Sequence, residues 1–220
     1  MAALCEFVRL HPSPQERNLE GLRTLKNDII TVLREQAAPM AGLTELLIGI
    51  YDDKAQDPVT RDYAIQHLIL WCGQGPADAK RKIHAVLNMA AREKTSVAGT
   101  ALLGLHRLSA EDAAFNRDEV RSIALRLASA SETEPATRAT AVQVCAERGI
   151  REALPMIETL AQTSGDMALQ LSAIAALGHL GGAEQAVLLE RLEPGANGAV
   201  LRASIRAARK RLSQKQERLF

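Results

Sequence analysis

The densest group of ionisable side chains lies near the C-terminal end. Residues 201–220 hold seven basic groups (Arg202, Arg206, Arg209, Lys210, Arg211, Lys215 and Arg218) and one acid, Glu217. At about 100° per residue, Leu201, Ile205, Ala208 and Leu212 share one stripe of a helix. Arg202, Arg206, Arg209 and Lys210 fall in the adjoining arc and are the candidate partner-binding residues. A cationic stripe of this kind would meet phosphates or an acidic partner. The same pattern also describes the end of a helical stack, whose outer face is polar because nothing covers it. Cations near a helix C-terminus complement its dipole as well.

Other chemistries find less support. The histidines His11, His67, His84, His106 and His179 form no HExxH pair and predict no metal site. Cys5, Cys72 and Cys145 are far apart, without CxxC spacing, and are expected as buried free thiols suited to a reducing compartment. GxSxG is absent, though the partners of a catalytic triad need not be near in sequence. Gly73-Gln74-Gly75-Pro76-Ala77-Asp78 begins like a nucleotide loop, but it ends in Asp and follows a helical pattern, which predicts an interhelical turn. Trp71 and Tyr63 would either finish a hairpin core or form an aromatic spot on a groove. No catalytic residue, metal or cofactor is predicted.

The elements that must carry these residues are helices. The 220 residues include 37 Ala and 30 Leu but only 3% aromatics, a mixture of strong helix formers. Formal net charge is +1, so the whole-molecule field steers no particular ligand. Residues 1–200 are net acidic, in contrast to the last twenty. Met1–Leu10 lacks a basic start and is interrupted by Glu6 and Arg9, unlike a signal peptide. The longest apolar run, Leu46–Tyr51, is far short of a membrane span, and a cytoplasmic protein is the expectation.

The chain also repeats itself. Pro14-Gln-Glu-Arg17, Pro58-Val-Thr-Arg61 and Pro135-Ala-Thr-Arg138 each open an apolar-periodic stretch. Ala64, Ala101, Ala141, Ala173 and Ile205 occupy equivalent sites separated by 37, 40, 32 and 32 residues, a helical-hairpin period. Proline at the first helical position costs no hydrogen bond, and Ser13 or Asp57 before it would cap the free amides. The small residue six positions on lets neighbouring helices approach closely. The preceding amphipathic stretches are Met40–Tyr51, Ala77–Arg92, Arg117–Ala130, Glu152–Gln162 and Ala183–Leu192. Gly and Pro between them mark helix ends.

Asp57-Pro58-Val59-Thr60-Arg61-Asp62-Tyr63-Ala64 resembles the start of the second helix of a HEAT repeat, of the short bacterial and PBS-lyase-type HEAT-like kind. Ala173-Ile174-Ala175-Ala176-Leu177-Gly178-His179-Leu180-Gly181 resembles the ending of that family's repeat. The third repeat lacks the Pro and Arg, and Arg206 stands where a small or apolar residue is expected. The resemblance implies an all-α fold, a right-handed α-solenoid or superhelix of HEAT-like hairpins. A single array over 1–220 is expected, with approximate repeats 1–38, 39–73, 77–109, 116–149, 151–181 and 183–218, the first and last acting as caps. It also implies an inter-hairpin hydrogen-bonding role for Arg61 and Arg138.

Most such solenoids are scaffolds, so the resemblance implies a non-enzymatic protein that binds another protein on the surface of its second helices. The alternative is a nucleic-acid-binding HEAT-like protein, including a DNA glycosylase-like enzyme. The six scattered aromatics and the acidic body make a base-binding cradle the weaker reading. HEAT-like bilin lyases and di-iron hydroxylases set further enzymatic precedents, the latter lacking its His-Glu pairs here. No membrane partner is expected, and the sequence leaves the oligomeric state open.

Overall fold

A computed structural model describes residues 2–13, 17–36 and 40–217. The described chain is all-α and contains no strand. It divides into two compact units, residues 1–115 and 116–220.

The first unit holds α1 (Ala2–Arg9), α2 (Leu19–Arg34), α3 (Leu43–Asp52), α4 (Pro58–Trp71), α5 (Ala77–Ala90) and α6 (Ser96–Glu111). They pair as three hairpins, and the second helices stack in order, α2 on α4 and α4 on α6. Ile30, Leu33, Leu47, Ile65, Leu68, Ile83, Leu87 and Leu102 are fully buried between them. The second unit repeats the plan with α7 (Arg117–Ser129), α8 (Pro135–Glu147), α9 (Leu154–Thr163, preceded by a 3₁₀ turn at Arg151–Ala153), α10 (Met167–Leu180), α11 (Ala183–Leu192) and α12 (Ala199–Glu217). There α8 packs on α10 and α10 on α12. Val142, Val144, Ile157, Leu177 and Leu189 form that core. Each unit is thus a solenoid-type stack whose helices bury one face against their sequence neighbours.

Local chemistry sets the boundaries. Asp57 accepts from the Thr60 amide at 3.0 Å and Pro58 takes the first position of α4. Asn116 and Asp166 cap α7 and α10 in the same way, at 2.8 Å each. Gly149, at φ +68°, ends α8: Ile150 N–H reaches the Cys145 carbonyl at 2.9 Å and Gly149 N–H reaches Ala146 at 3.1 Å, a Schellman closure. Ala64, Ala101, Ala141 and Ala173 are all 0% exposed. A Cβ on Gly178 would lie 2.9 Å from the Ala208 Cα, so α10 and α12 meet almost backbone to backbone.

The first repeat departs from the expected register. Helix α2 starts at Leu19 rather than at Pro14, because the Asn18 side chain caps it through the Gly21 amide at 2.9 Å. Pro14 lies outside the described residues, and Arg17 is in a bend before the helix. The buried residues Lys26, Ile30 and Leu33 stand 38 positions before Ala64, Leu68 and Trp71. Arg23, not Arg17, therefore corresponds to Arg61.

Candidate functional site

In four of the second helices the residue three positions before the buried stacking residue has one recurring job. Arg61 Nε donates to the Tyr51 carbonyl at 2.8 Å, and Arg138 Nε to the Ala128 carbonyl at 3.2 Å. Gln170 donates to Ala161 O at 3.0 Å and Arg202 to Ala196 O at 2.8 Å. Each satisfies a carbonyl at or just beyond the end of the preceding helix, where the helix leaves its last carbonyls unpaired. Arg23 and Arg61 link successive hairpins. Arg23 grips Asp57 through two bonds of 3.0 and 2.6 Å, and Arg61 holds Glu93 at 2.7 Å. Glu93 Oε1 accepts from Tyr51 Oη at 3.0 Å and Lys54 Nζ at 2.9 Å as well. Burial works against the charged Glu93 carboxylate, but the Lys54 and Arg61 donors prevail and hold its pKa below the ordinary range.

This geometry sorts the four candidate residues of α12. Arg202 fills the carbonyl-binding slot just described. Arg206 Nε meets Glu193 Oε1 at 2.5 Å, and Arg209 meets Glu193 Oε2 at 2.7 Å and Glu190 at 3.4 Å. In the inner repeats the positions of Arg206 and Arg209 carry buried apolar residues such as Ile174 and Leu177. At the last hairpin those places are exposed or half-buried, and the two guanidiniums close over the α11 terminus instead. Arg211 faces His179 Nε2 at 3.4 Å, and Lys215 donates to the His179 carbonyl at 2.5 Å, near the α10 C-terminus. Lys210 is exposed.

The remaining candidate chemistry disperses. His11 pairs with Asp53 at 2.6 Å, His84 packs edge-on to Phe115 at 4.9 Å, and His67 contacts Asn27 at 3.0 Å. No cluster of three or more metal-ligating side chains occurs among the described residues. Cys72 and Cys145 are buried free thiols and Cys5 is half-buried; burial pushes the Cys145 thiol up to about 11. Trp71 is buried and donates to Thr44 Oγ1 at 3.1 Å, so it completes a hairpin core.

One surface feature carries no motif. On the outward side of the second helices in the first unit, Leu25 is 48% exposed, Val32 57%, Leu70 39% and Leu103 46%. Leu70 and Leu103 line a groove of about 360 Å³ between α4 and α6, with Ile69, Thr100, Gln66 and Arg107. Gly104 forms its floor, where a Cβ would collide with Ile69 Cδ1. The signal was present as an offset. Positions two and six after the buried alanine read Gln66 and Leu70, then Leu103 and Arg107, but Gln143 and Glu147, then Ala175 and His179, in the second unit.

Hairpins stacked through buried alanines, with side chains of α4, α8, α10 and α12 tying back the end of the preceding helix, define an all-α repeat protein. Residues 122–209 match the family model described as HEAT repeats. Among curated proteins nothing matches. Among solved structures, the designed armadillo repeat protein YIII(Dq)4CqI is similar at 17% identity, over 96% of this chain and 98% of its own, with a TM-score of 0.49.

Proposed function

We propose that this protein is a non-enzymatic scaffold that binds another protein on its second-helix surface, at the outward face of α2, α4 and α6. The observation that carries this reading is the row Leu25, Val32, Leu70 and Leu103. These large apolar side chains stay in water on the second helices of one unit, around a groove with a bare glycine floor. Exposed apolar patches with a polar rim mark interaction sites, and buried apolar contacts are what such a site contributes to binding. Three unpaired cysteines fit a reducing, cytoplasmic setting. No described helix is long and apolar enough to cross a membrane.

Nucleic-acid binding through α12 is the second reading, and its support has narrowed. Of the four candidate cations, Arg202, Arg206 and Arg209 are held by internal acceptors, which leaves Lys210. Capture from a native lysate, with and without nuclease, separates the two. A defined protein retained after nuclease, and lost when Leu70→Glu and Leu103→Glu are combined, is the expected result. Partners that vanish with nuclease would move α12 to the front. A protein partner indifferent to the double substitution would place the binding surface elsewhere.

A further inference from the structure

Polar pairs stitch the contact between α2 and α4, as Arg61 and Glu93 link the next pair of hairpins, but here a buried lysine joins them. Arg23 grips Asp57, Lys26 donates to Gln56 Oε1 at 3.0 Å and to the Leu10 carbonyl, and Gln56 Nε2 reaches Arg9 O at 3.2 Å. Lys26 stands where the later repeats place a buried alanine. The apolar share from α1 and α2 is small, with Val8, Ile30 and Leu33 fully buried.

His67 lies inside this contact, 4% exposed. Its Nε2 is 3.0 Å from Asn27 Oδ1, which accepts, so the neutral ring carries its proton on Nε2. Nδ1 is then a bare acceptor, buried without a partner, and Arg34 Nε on α2 is likewise buried without one. Helices α2, α3, α5 and α6 all pack on α4, yet Arg34 is the only charge among the described residues that acts on the ring. A proton on Nδ1 would therefore create a buried cation beside the Arg34 guanidinium, whose own carboxylate partner, Glu35 at 2.7 Å, is exposed.

We propose that His67 is an acid-sensitive latch that holds the α1–α2 hairpin on α4 and releases it when the ring is protonated. Burial, and then Arg34, lower the imidazole pKa to about 4, whereas an unfolded histidine titrates near 6.5. The opened state therefore binds the extra proton, and the closed state loses ground as pH falls from about 6.5 towards 4. The Asp57 and Glu93 carboxyls, held below their ordinary range, stay ionised through most of that window and keep their arginines. The Asp53 carboxyl, which faces His11 at 2.6 Å, is held below its ordinary range by that hydrogen bond. That pair is solvent-exposed and correspondingly weak. Release would uncover the side of α4 that carries His67.

Amide hydrogen exchange of the whole chain, corrected for intrinsic rates at pH 7 and pH 5, tests this. Opening of α1 and α2 is expected to increase roughly 20-fold at pH 5, with α7–α12 unchanged. His67→Gln should remove most of that increase. Should that variant fail to fold, Asn27→Asp decides, because its carboxylate would pair the imidazolium and preserve protection at pH 5. The latch is refuted by full protection of α1 and α2 at pH 5 in the parent chain. An equal pH response in His67→Gln, or loss of protection by the same factor in every helix, also overturns it.

Discussion

At the scale of single residues, the most consequential side chains are the arginines that look like ligand contacts in the sequence. Arg61 is 8% exposed and joins three pieces of structure: the end of α3, the start of α4 and the loop before α6. Arg61→Ala would leave Glu93 half-buried with a reduced donor set and Tyr51 O without its bond. Urea denaturation should register a loss of about 2–4 kcal/mol. Glu93→Gln should cost less in that background than in the parent chain, as members of one network do. Thiol chemistry gives a second residue-scale expectation. With its thiol near 11 and 0% exposed, Cys145 should resist a thiol reagent at pH 8 until the protein unfolds, while half-buried Cys5 reacts in the native state. Rapid native modification of Cys145 would contradict its place in the core.

At the scale of elements, two helical glycines separate packing from propensity. A Cβ added at Gly49 in α3 would meet nothing within 4 Å, so Gly49→Ala should stabilise by about 0.5–1 kcal/mol through helix propensity alone. Gly178 faces the Ala208 backbone, and Gly178→Val would force α10 and α12 apart at a cost of about 2–3 kcal/mol. Thermal unfolding of the pair should show opposite signs. Ala173→Arg tests the repeat register directly. An unpaired charge at a 0%-exposed site between stacked hairpins should cost several kcal/mol, on the order of 3–5. A parent-like melting temperature for that variant would mean that the stacking positions have been misassigned.

At the scale of the whole molecule, the net charge of +1 and the internal engagement of the α12 arginines point the same way. Anisotropy with a labelled DNA duplex should show little binding at about 150 mM salt and only a shallow salt dependence. A slope steeper than about −4 in log K against log salt would require four or more phosphate contacts and would reinstate a nucleic-acid surface. Reversing Arg206 and Arg209 to Glu should instead loosen the α11–α12 hairpin, because Glu193 would lose both its partners. Hydrogen exchange in residues 183–217 would register it while residues 1–115 stay as they were.

By itself the sequence determined the class, the period and most of the joints. Alanine and leucine in abundance, Pro58 and Pro135 at first helical positions, Asp57 as a cap and Gly149 as a terminator act through local backbone physics, which needs no distant contact to be legible. It misplaced the first repeat because Pro14 and Arg17 imitate the motif, while the real equivalence, Arg23 with Arg61, shows only through burial and hydrogen bonding across hairpins. Only the tertiary structure decided which charged groups are spent internally. Arg206 and Arg209 look free along the chain because Glu193, the acid that holds them, sits on the loop after the preceding helix. His67 likewise reads as one histidine among five until α2 closes over it and removes the water its second nitrogen would need. Periodicity is written locally and survives in one dimension, whereas the pairing of charges and the desolvation of a ring depend on distances that only the stacked hairpins create.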